Sequence, residues 1–315
     1  MTTEPKTYDV IIAGQGAAAY SAALYAARYQ MNSLVIGEIF GGETAIGGLI
    51  ENYPGQPEID GFDLMMKFRE QVEKYDVPVI DDKVTDLEKE GSNWKITTSQ
   101  SENYYSSTVI WAIGRERRKL NLDHEEEWIG KGVSYCSTCD APLHRDNVVA
   151  VVGGGSAAVE GAILLSRYAE QVYIVYRRGK FTRPEPVNVD RLHHTNNIDQ
   201  VMNTNVIGLK GEMGLTGIVL DNEHNGTTEL DLDGLFIEIG ADPRVDTPKK
   251  LGVDLNDMEE IKVDKHMSTN IQGFFAAGDV TDASGNLKQT VTAAAQGAIA
   301  ATTAYQEIIN HPTGP

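Results

Sequence analysis

Apolar and polar positions in this chain alternate between two recognisable patterns. Tyr8–Ala13 is a short apolar run closed by glycine, which reads as a buried strand. Gly14–Gln15–Gly16–Ala17–Ala18–Ala19 follows, and the alanine-rich stretch from about Ala18 to Tyr29 predicts a helix. A second apolar run, Ser33–Ile36, leads into Gly37–Glu38. Strand, glycine turn, helix and strand, with an acid roughly 20 residues past the glycines, is the pattern of a dinucleotide-binding unit.

Residues 41–55 are glycine-rich and read as a long loop, followed by a helix over about 61–75. Strand-like pieces at 77–80, 94–98 and 108–112 predict a small added sheet. Near Asn147 the opening pattern returns. Val148–Val152 is a strand, Gly153–Gly154–Gly155–Ser156–Ala157–Ala158 a second glycine turn, 157–168 a helix and 172–176 a strand. One architecture is thus carried twice, the most informative feature of the organisation. Short strands with turns at 212–214 and 225–226 fill 205–239. A strand ending Gly278–Asp279 and a helix over 290–309 complete the chain, and the last five residues, 311–315, are expected to fray.

The glycine positions have distinct physical tasks. Gly14 permits a tight turn, Gly16 lets backbone approach a pyrophosphate, and Ala19 is small where helix packs on strand. The helix N-terminus offers unpaired N–H groups to phosphate. Glu38 is placed to accept from a ribose hydroxyl, and Asp279 to hold a ribityl hydroxyl, a surface turn being the plain alternative for the latter. Gly153, Gly155, Ser156 and Ala158 repeat the arrangement. Where an NAD site carries an acid, the second unit has Arg177–Arg178, with Arg183 close behind. Paired guanidiniums suit a 2′-phosphate, and a solvated strand edge is the competing explanation.

Composition changes this picture little: 315 residues, 41% of them hydrophobic, suit two domains with proper cores. A net charge of -19 argues against nucleic acid or an anionic membrane as the main partner. No apolar run reaches membrane-spanning length and no signal peptide is visible, so a soluble, cytoplasmic protein is expected.

The chemistry lies in Cys136–Ser137–Thr138–Cys139–Asp140, which holds the only two cysteines. A Cys-x-x-Cys pair can close and reopen a disulfide by thiolate exchange. Two buried core cysteines are one alternative. A zinc site is another, but the pair supplies only two ligands, and His144 alone would not complete a tetrahedral set. The redox reading fits a reducing cytosol best.

These motifs, in this order, resemble the low-molecular-mass, flavin-dependent thioredoxin reductases from end to end. The residues carrying the resemblance are Gly14, Gly16 and Ala19, Gly41–Gly42, Glu51–Asn52–Tyr53–Pro54–Gly55, and Gly130–Cys136. Cys139–Asp140, the second glycine turn and Phe275–Asp279 complete the set. The resemblance implies an α/β protein of two Rossmann-like dinucleotide-binding domains, the second inserted into the first. On that plan residues 1–117 and 247–315 bind FAD, and 118–246 bind NADPH and carry the disulfide. It also implies a homodimer that reduces a thioredoxin-like protein. Cys139 would face the flavin, Cys136 would attack the substrate disulfide, and Asp140 would handle thiol protons. Connecting strands for a swivel between domains are expected near 115–118 and 246–249.

The chain departs from the family pattern at several places. Glu43–Thr44 replaces Gln-Leu, Ala112–Ile113–Gly114 replaces Ala-Thr-Gly, and Lys288–Gln289–Thr290 stands for Arg-Gln and a small apolar residue. Tyr176 replaces the histidine before the paired arginines, Thr182 takes the position of a third arginine, and Arg183 is displaced by one. NADPH is therefore the favoured donor, with NADH, ferredoxin or a deazaflavin as alternatives. A dithiol oxidase of the same fold and a non-catalytic flavin or nucleotide binder are the other readings, and Asp140 argues against the oxidase.

Overall fold

A computed structural model describes residues 7–181, 183–285 and 287–310. The chain opens with β1 (Thr7–Ala13), α1 (Ala17–Arg28) and β2 (Ser33–Gly37). α2 (Gly42–Ala45), β3 (Leu49–Ile50) and β4 (Ile59–Asp60) precede α3 (Gly61–Glu73). Then come β5 (Val79–Asp81), β6 (Val84–Glu90), β7 (Asn93–Thr98), β8 (Asn103–Trp111) and β9 (Arg115–Arg117). The middle of the chain holds β10 (Val133–Ser134), α4 (Ser137–Asp140), β11 (Val148–Val152), α5 (Ser156–Leu165), β12 (Gln171–Tyr176) and α6 (Pro186–His193). It continues through β13 (Ile198–Met202), β14 (Val206–Lys210), β15 (Gly217–His224), β16 (Thr227–Asp231), β17 (Gly234–Ile237) and β18 (Ala241–Pro243). α7 (Asp246–Lys250), β19 (Phe274–Ala276) and α8 (Thr290–Asn310) close it.

Two compact units result, one formed by residues 1–116 and 243–315 and the other by 117–242. In the first, β5, β2, β1 and β8 run parallel. β8 is shared: its first half pairs antiparallel with β7, its second half parallel with β19. The strand pieces expected to form a separate small sheet therefore split. β5 joins the parallel sheet, and β6 and β7 extend it through β8. β1 is buried from Val10 to Ala13 because helices and sheet cover both faces, which is why its run is continuously apolar.

The C-terminal helix belongs here for a steric reason. α1 and α8 pack through alanines, among them Ala22, Ala23, Ala300 and Ala301, all fully buried. A Cβ on Gly297 would overlap the Ala18 carbonyl, so the two backbones touch at that point. Tyr29 stacks on Tyr305 at 4.6 Å along the same seam.

The second unit has a parallel sheet ordered β10–β17–β11–β12–β13 and an antiparallel sheet β14–β15–β16. β11 is buried from Val149 to Val152 for the same reason as β1.

Three local expectations change. Residues 41–55 are not all loop: they hold α2 and the β3 strand, which pairs with β4. The chain crosses between units at β9 and β18, and residues 246–250 form α7 instead of a connecting strand. Asp246 in its first turn and Lys249–Lys250 in its last suit the helix dipole, and Pro248 falls in the first turn, where no N–H is required. α6, eight residues long, and β13, whose burial does not alternate strictly, have no counterpart among the expected elements. Thr182 and the fraying expected for 311–315 lie outside the described residues. No helix among the described residues is long and apolar enough to cross a membrane.

Candidate functional site

The two glycine turns have nearly the same construction, each within its own unit. Gly14 (φ 121°) and Gly153 (φ 147°) lie in backbone regions that side chains avoid. A Cβ on Gly14 would overlap the Ala112 carbonyl, and one on Gly153 the Glu238 carbonyl. Gly14 N donates to Ile36 O at 2.7 Å, and Gly153 N to Val175 O at 3.0 Å. Gly16 and Gly155 then cap α1 and α5 with matching dihedrals (φ -83°, ψ -174° and φ -92°, ψ -177°).

Both helix starts fit a dinucleotide. Neither cap side chain bonds the first-turn N–H groups, and neither first turn contains an acid. A Cβ on Gly16 or Gly155 would meet nothing within 4 Å, so open space faces these amides. Ala19 and Ala158 are fully buried against their strands. Ser156 is the first residue of α5.

In the first unit Gly41 and Gly42 lie against this turn, and the other expected residues are held by partners of the same unit. Gly41 N donates to Gln15 O at 2.9 Å, and the Cβ position of Gly42 is 3.5 Å from Gly16 Cα. Asn52 Nδ2 donates to Gln289 Oε1 at 3.1 Å, and the Thr44 and Thr290 hydroxyls lie 3.0 Å apart. Glu38 accepts from Arg244 Nη1 at 2.8 Å, a partner with no sequence signal. Burial pushes the Asp279 carboxyl above its usual range, while Lys288 and Arg115 pull it back. Both cations are held by Glu260, a buried carboxylate 2.8 Å from Arg115 Nη2 and 3.1 Å from Lys288 Nζ.

Sequence reasoning also missed Gln15 and Gln296. The buried Gln15 amide donates to Gly37 O and Asp81 Oδ1, both at 2.7 Å, and accepts from Tyr20 Oη at 2.8 Å. It pins the ends of β2 and β5 beside the turn. Gln296 Oε1 accepts from Gly278 N at 2.7 Å, fixing the backbone next to Asp279. A polar residue inside an apolar stretch was the available signal for both.

In the second unit Cys136 and Cys139 form a disulfide with Cα atoms 5.3 Å apart. Cys136 caps α4, and its sulfur accepts from Cys139 N at 3.1 Å. That amide would stabilise a Cys136 thiolate. Ser134 Oγ accepts from Cys136 N at 3.0 Å, holding the approach to the cap. Asp140 ends α4, and its N–H donates to Cys136 O at 3.2 Å. Tyr135 donates to Glu125, and burial with that carboxylate pushes its hydroxyl far above the usual range. Burial lowers the His144 pKa, against smaller opposing effects of Asp140 and Asp233.

The arginine segment is open. Arg177, Arg178 and Arg183 are exposed and show no ion pair among the described residues. Tyr176 lies against Gly154, where a Cβ would overlap its ring, and stacks on Phe181 at 5.6 Å. The aromatic pair ties the strand end to the glycine turn.

Comparison with known proteins matches residues 8–297 to the pyridine nucleotide-disulphide oxidoreductase family. A thioredoxin reductase of Streptomyces clavuligerus is 40% identical, the match covering 93% of this chain and 91% of that protein. A component of the alkyl hydroperoxide reductase of Staphylococcus aureus is 36% identical over 96% of this chain, which spans 60% of that longer protein. The crystal structure of Lactococcus lactis thioredoxin reductase superposes with a TM-score of 0.90 at 36% identity, covering 96% of this chain and 100% of that one.

Proposed function

The chain belongs to the pyridine nucleotide-disulphide oxidoreductases and, within them, to the low-molecular-mass thioredoxin reductases, and on that premise we propose how its residues divide the work. It is an FAD-dependent disulfide oxidoreductase that passes electrons from NADPH through FAD and the Cys136–Cys139 dithiol to a thioredoxin-like protein. It acts as a cytoplasmic homodimer. The observation that carries this reading is the Cys136–Cys139 disulfide in a chain with two uncapped, glycine-led helix starts.

FAD, when bound, supplies two-electron exchange between a nicotinamide and the disulfide. Gly14, Gly16, Ala19, Gly41, Gly42 and the α1 start would hold its pyrophosphate side, with Glu38 and Asp279 on its hydroxyls. Asn52, Lys288, Gln289 and Thr290 line the same unit's loop and α8 start. Gly153, Gly155, Ser156, Ala158 and the α5 start would receive the nicotinamide nucleotide.

Reduction of the disulfide gives two thiols. The Cys136 thiolate attacks one sulfur of the partner's disulfide, forming a mixed disulfide and releasing the partner's other sulfur as a thiolate. Cys139 then attacks Cys136, which frees the second partner thiol and restores the Cys136–Cys139 bond. Asp140 takes and returns the thiol protons. The Cys139 N–H on the Cys136 sulfur supports Cys136 as the attacking group.

NADPH is favoured as donor by three exposed arginines without an acid partner among the described residues, in a chain carrying a net charge of -19. A donor other than NADPH is the second reading, because Tyr176 and the shifted Arg183 alter the phosphate segment. The test is anaerobic addition of NADPH or NADH to the flavoprotein, followed by oxidised thioredoxin. Flavin bleaching with thioredoxin reduction, the latter lost in Cys136→Ser, supports the proposal. A flavin that neither nucleotide bleaches removes the nicotinamide donor.

A further inference from the structure

The middle of the Cys-x-x-Cys motif is tied to a carboxylate that the reaction above does not use. Ser137, the first residue of α4, is buried, and its Oγ donates to Glu238 Oε1 at 3.0 Å. Glu238 follows β17, and its side chain is only 9% exposed. Its N–H donates to Val152 O at 2.8 Å, so its backbone is fixed at the end of β11. Arg117, where the chain enters this unit, stands with Nη1 3.6 Å from the same carboxylate oxygen.

The other side of Ser137 is equally constrained. A Cβ on Gly161 of α5 would lie 2.6 Å from Ser137 Oγ and 3.0 Å from its Cβ. Ser137 is therefore clamped between the α5 backbone and Glu238. A four-residue helix has too few internal hydrogen bonds to hold its own position. It must be held from outside. The clamp keeps the Cys139 amide where it meets the Cys136 sulfur, 3.1 Å away.

We propose that Glu238 is a positioning residue for the dithiol. It anchors α4 through Ser137, with Arg117 balancing its charge, so that the Cys136 thiolate keeps its amide donor after the disulfide opens. Stabilising that thiolate stabilises the reduced form and makes the pair more readily reduced. The inference rests on the dithiol reading above, but on neither the donor nor the protein substrate.

The test uses the full chain. The relevant equilibrium is disulfide plus two glutathione thiols giving the dithiol plus glutathione disulfide. Two electrons and two protons pass from glutathione to the chain. In Ser137→Ala and Glu238→Ala the equilibrium should shift about tenfold toward the disulfide, about 30 mV for a two-electron couple. With Cys139→Ser added, Cys136 is the only thiol in the chain, and its iodoacetamide alkylation at pH 7 should slow about five- to tenfold. Glu238→Gln keeps an amide oxygen for Ser137 and should restore both readouts to within about twofold. Ser137→Ala makes the test independent of whether Glu238→Ala folds. The proposal is overturned if Ser137→Ala leaves both readouts within twofold of the parent, or if Glu238→Gln behaves like Glu238→Ala.

Discussion

The hydroxyls of Thr44 and Thr290 lie 3.0 Å apart although 246 residues separate them in the chain. Thr44 is in α2 and Thr290 begins α8, and both are positions where the chain departs from the family pattern it resembles. The two departures are one interaction. Asn52, just after β3, and Gln289, just before α8, form a second bridge nearby in the chain. Thr44→Val and Thr290→Val should each cost about 1 kcal/mol of stability. The double variant should cost little more than either single one, because the same hydrogen bond is lost in each. Urea unfolding of the four proteins reads the coupling. Strictly additive losses would show that the pair contributes nothing jointly.

Gly14 and Gly16 should fail differently. An alanine at Gly14 places a Cβ against the Ala112 carbonyl at φ 121°, so Gly14→Ala should lose about 2 kcal/mol or more and purify without flavin. A Cβ at Gly16 meets no atom within 4 Å, so Gly16→Ala should fold normally and still release FAD more readily. Flavin content per chain, set beside the unfolding midpoint, separates the two. Full flavin retention in Gly16→Ala would remove that turn from the pyrophosphate site.

Arg177 and Arg178 are exposed and without an ion pair among the described residues. A charge-assisted bond to phosphate contributes roughly 1.5–3 kcal/mol, or about 10- to 100-fold in affinity. The Arg177→Ala, Arg178→Ala double variant should raise the KM for NADPH by at least that range and leave the KM for NADH within about twofold. Equal effects on both nucleotides would break the assignment.

Asp140→Asn should slow thioredoxin turnover about 100-fold, the lower range for a lost acid-base group. Flavin bleaching by nucleotide should be unchanged, since no thiol proton moves in that step. Stopped-flow absorbance separates the two phases. Wild-type thioredoxin turnover in Asp140→Asn would exclude the proton role.

His144 should make stability pH-dependent. Its folded pKa is lowered by burial from 6.5, so the folded chain favours the neutral ring. That contribution is present above pH 6.5 and is lost as pH falls through the lower folded value. The urea midpoint should therefore drop between about pH 7.5 and 5.5. His144→Leu should shrink the drop, and an unchanged slope would place the titration elsewhere.

The local geometry of the candidate site was legible where it depends on neighbours along the chain. A glycine turn between a strand and a helix is a contiguous backbone device, so Gly14 and Gly153 carry their conformation in the sequence. The Cys-x-x-Cys spacing likewise brings the two Cα atoms to 5.3 Å through one helical turn. The partners of these groups were not legible. Arg244 on Glu38, Glu260 under Arg115 and Lys288, and Glu238 on Ser137 are each far away in sequence. An isolated acid or arginine has no periodicity to mark it.

By itself, then, the sequence determined the duplicated α/β units, the redox pair and the family, because periodicity, glycine conformation and short spacings are properties of neighbours along the chain. The tertiary structure decided that 41–55 holds α2 and β3, that the second crossing lies at β18, and that Thr44 meets Thr290. It also decided that Ser137 is clamped beside Gly161. Those outcomes depend on which distant surfaces are buried together, and burial is settled only when the whole chain has packed.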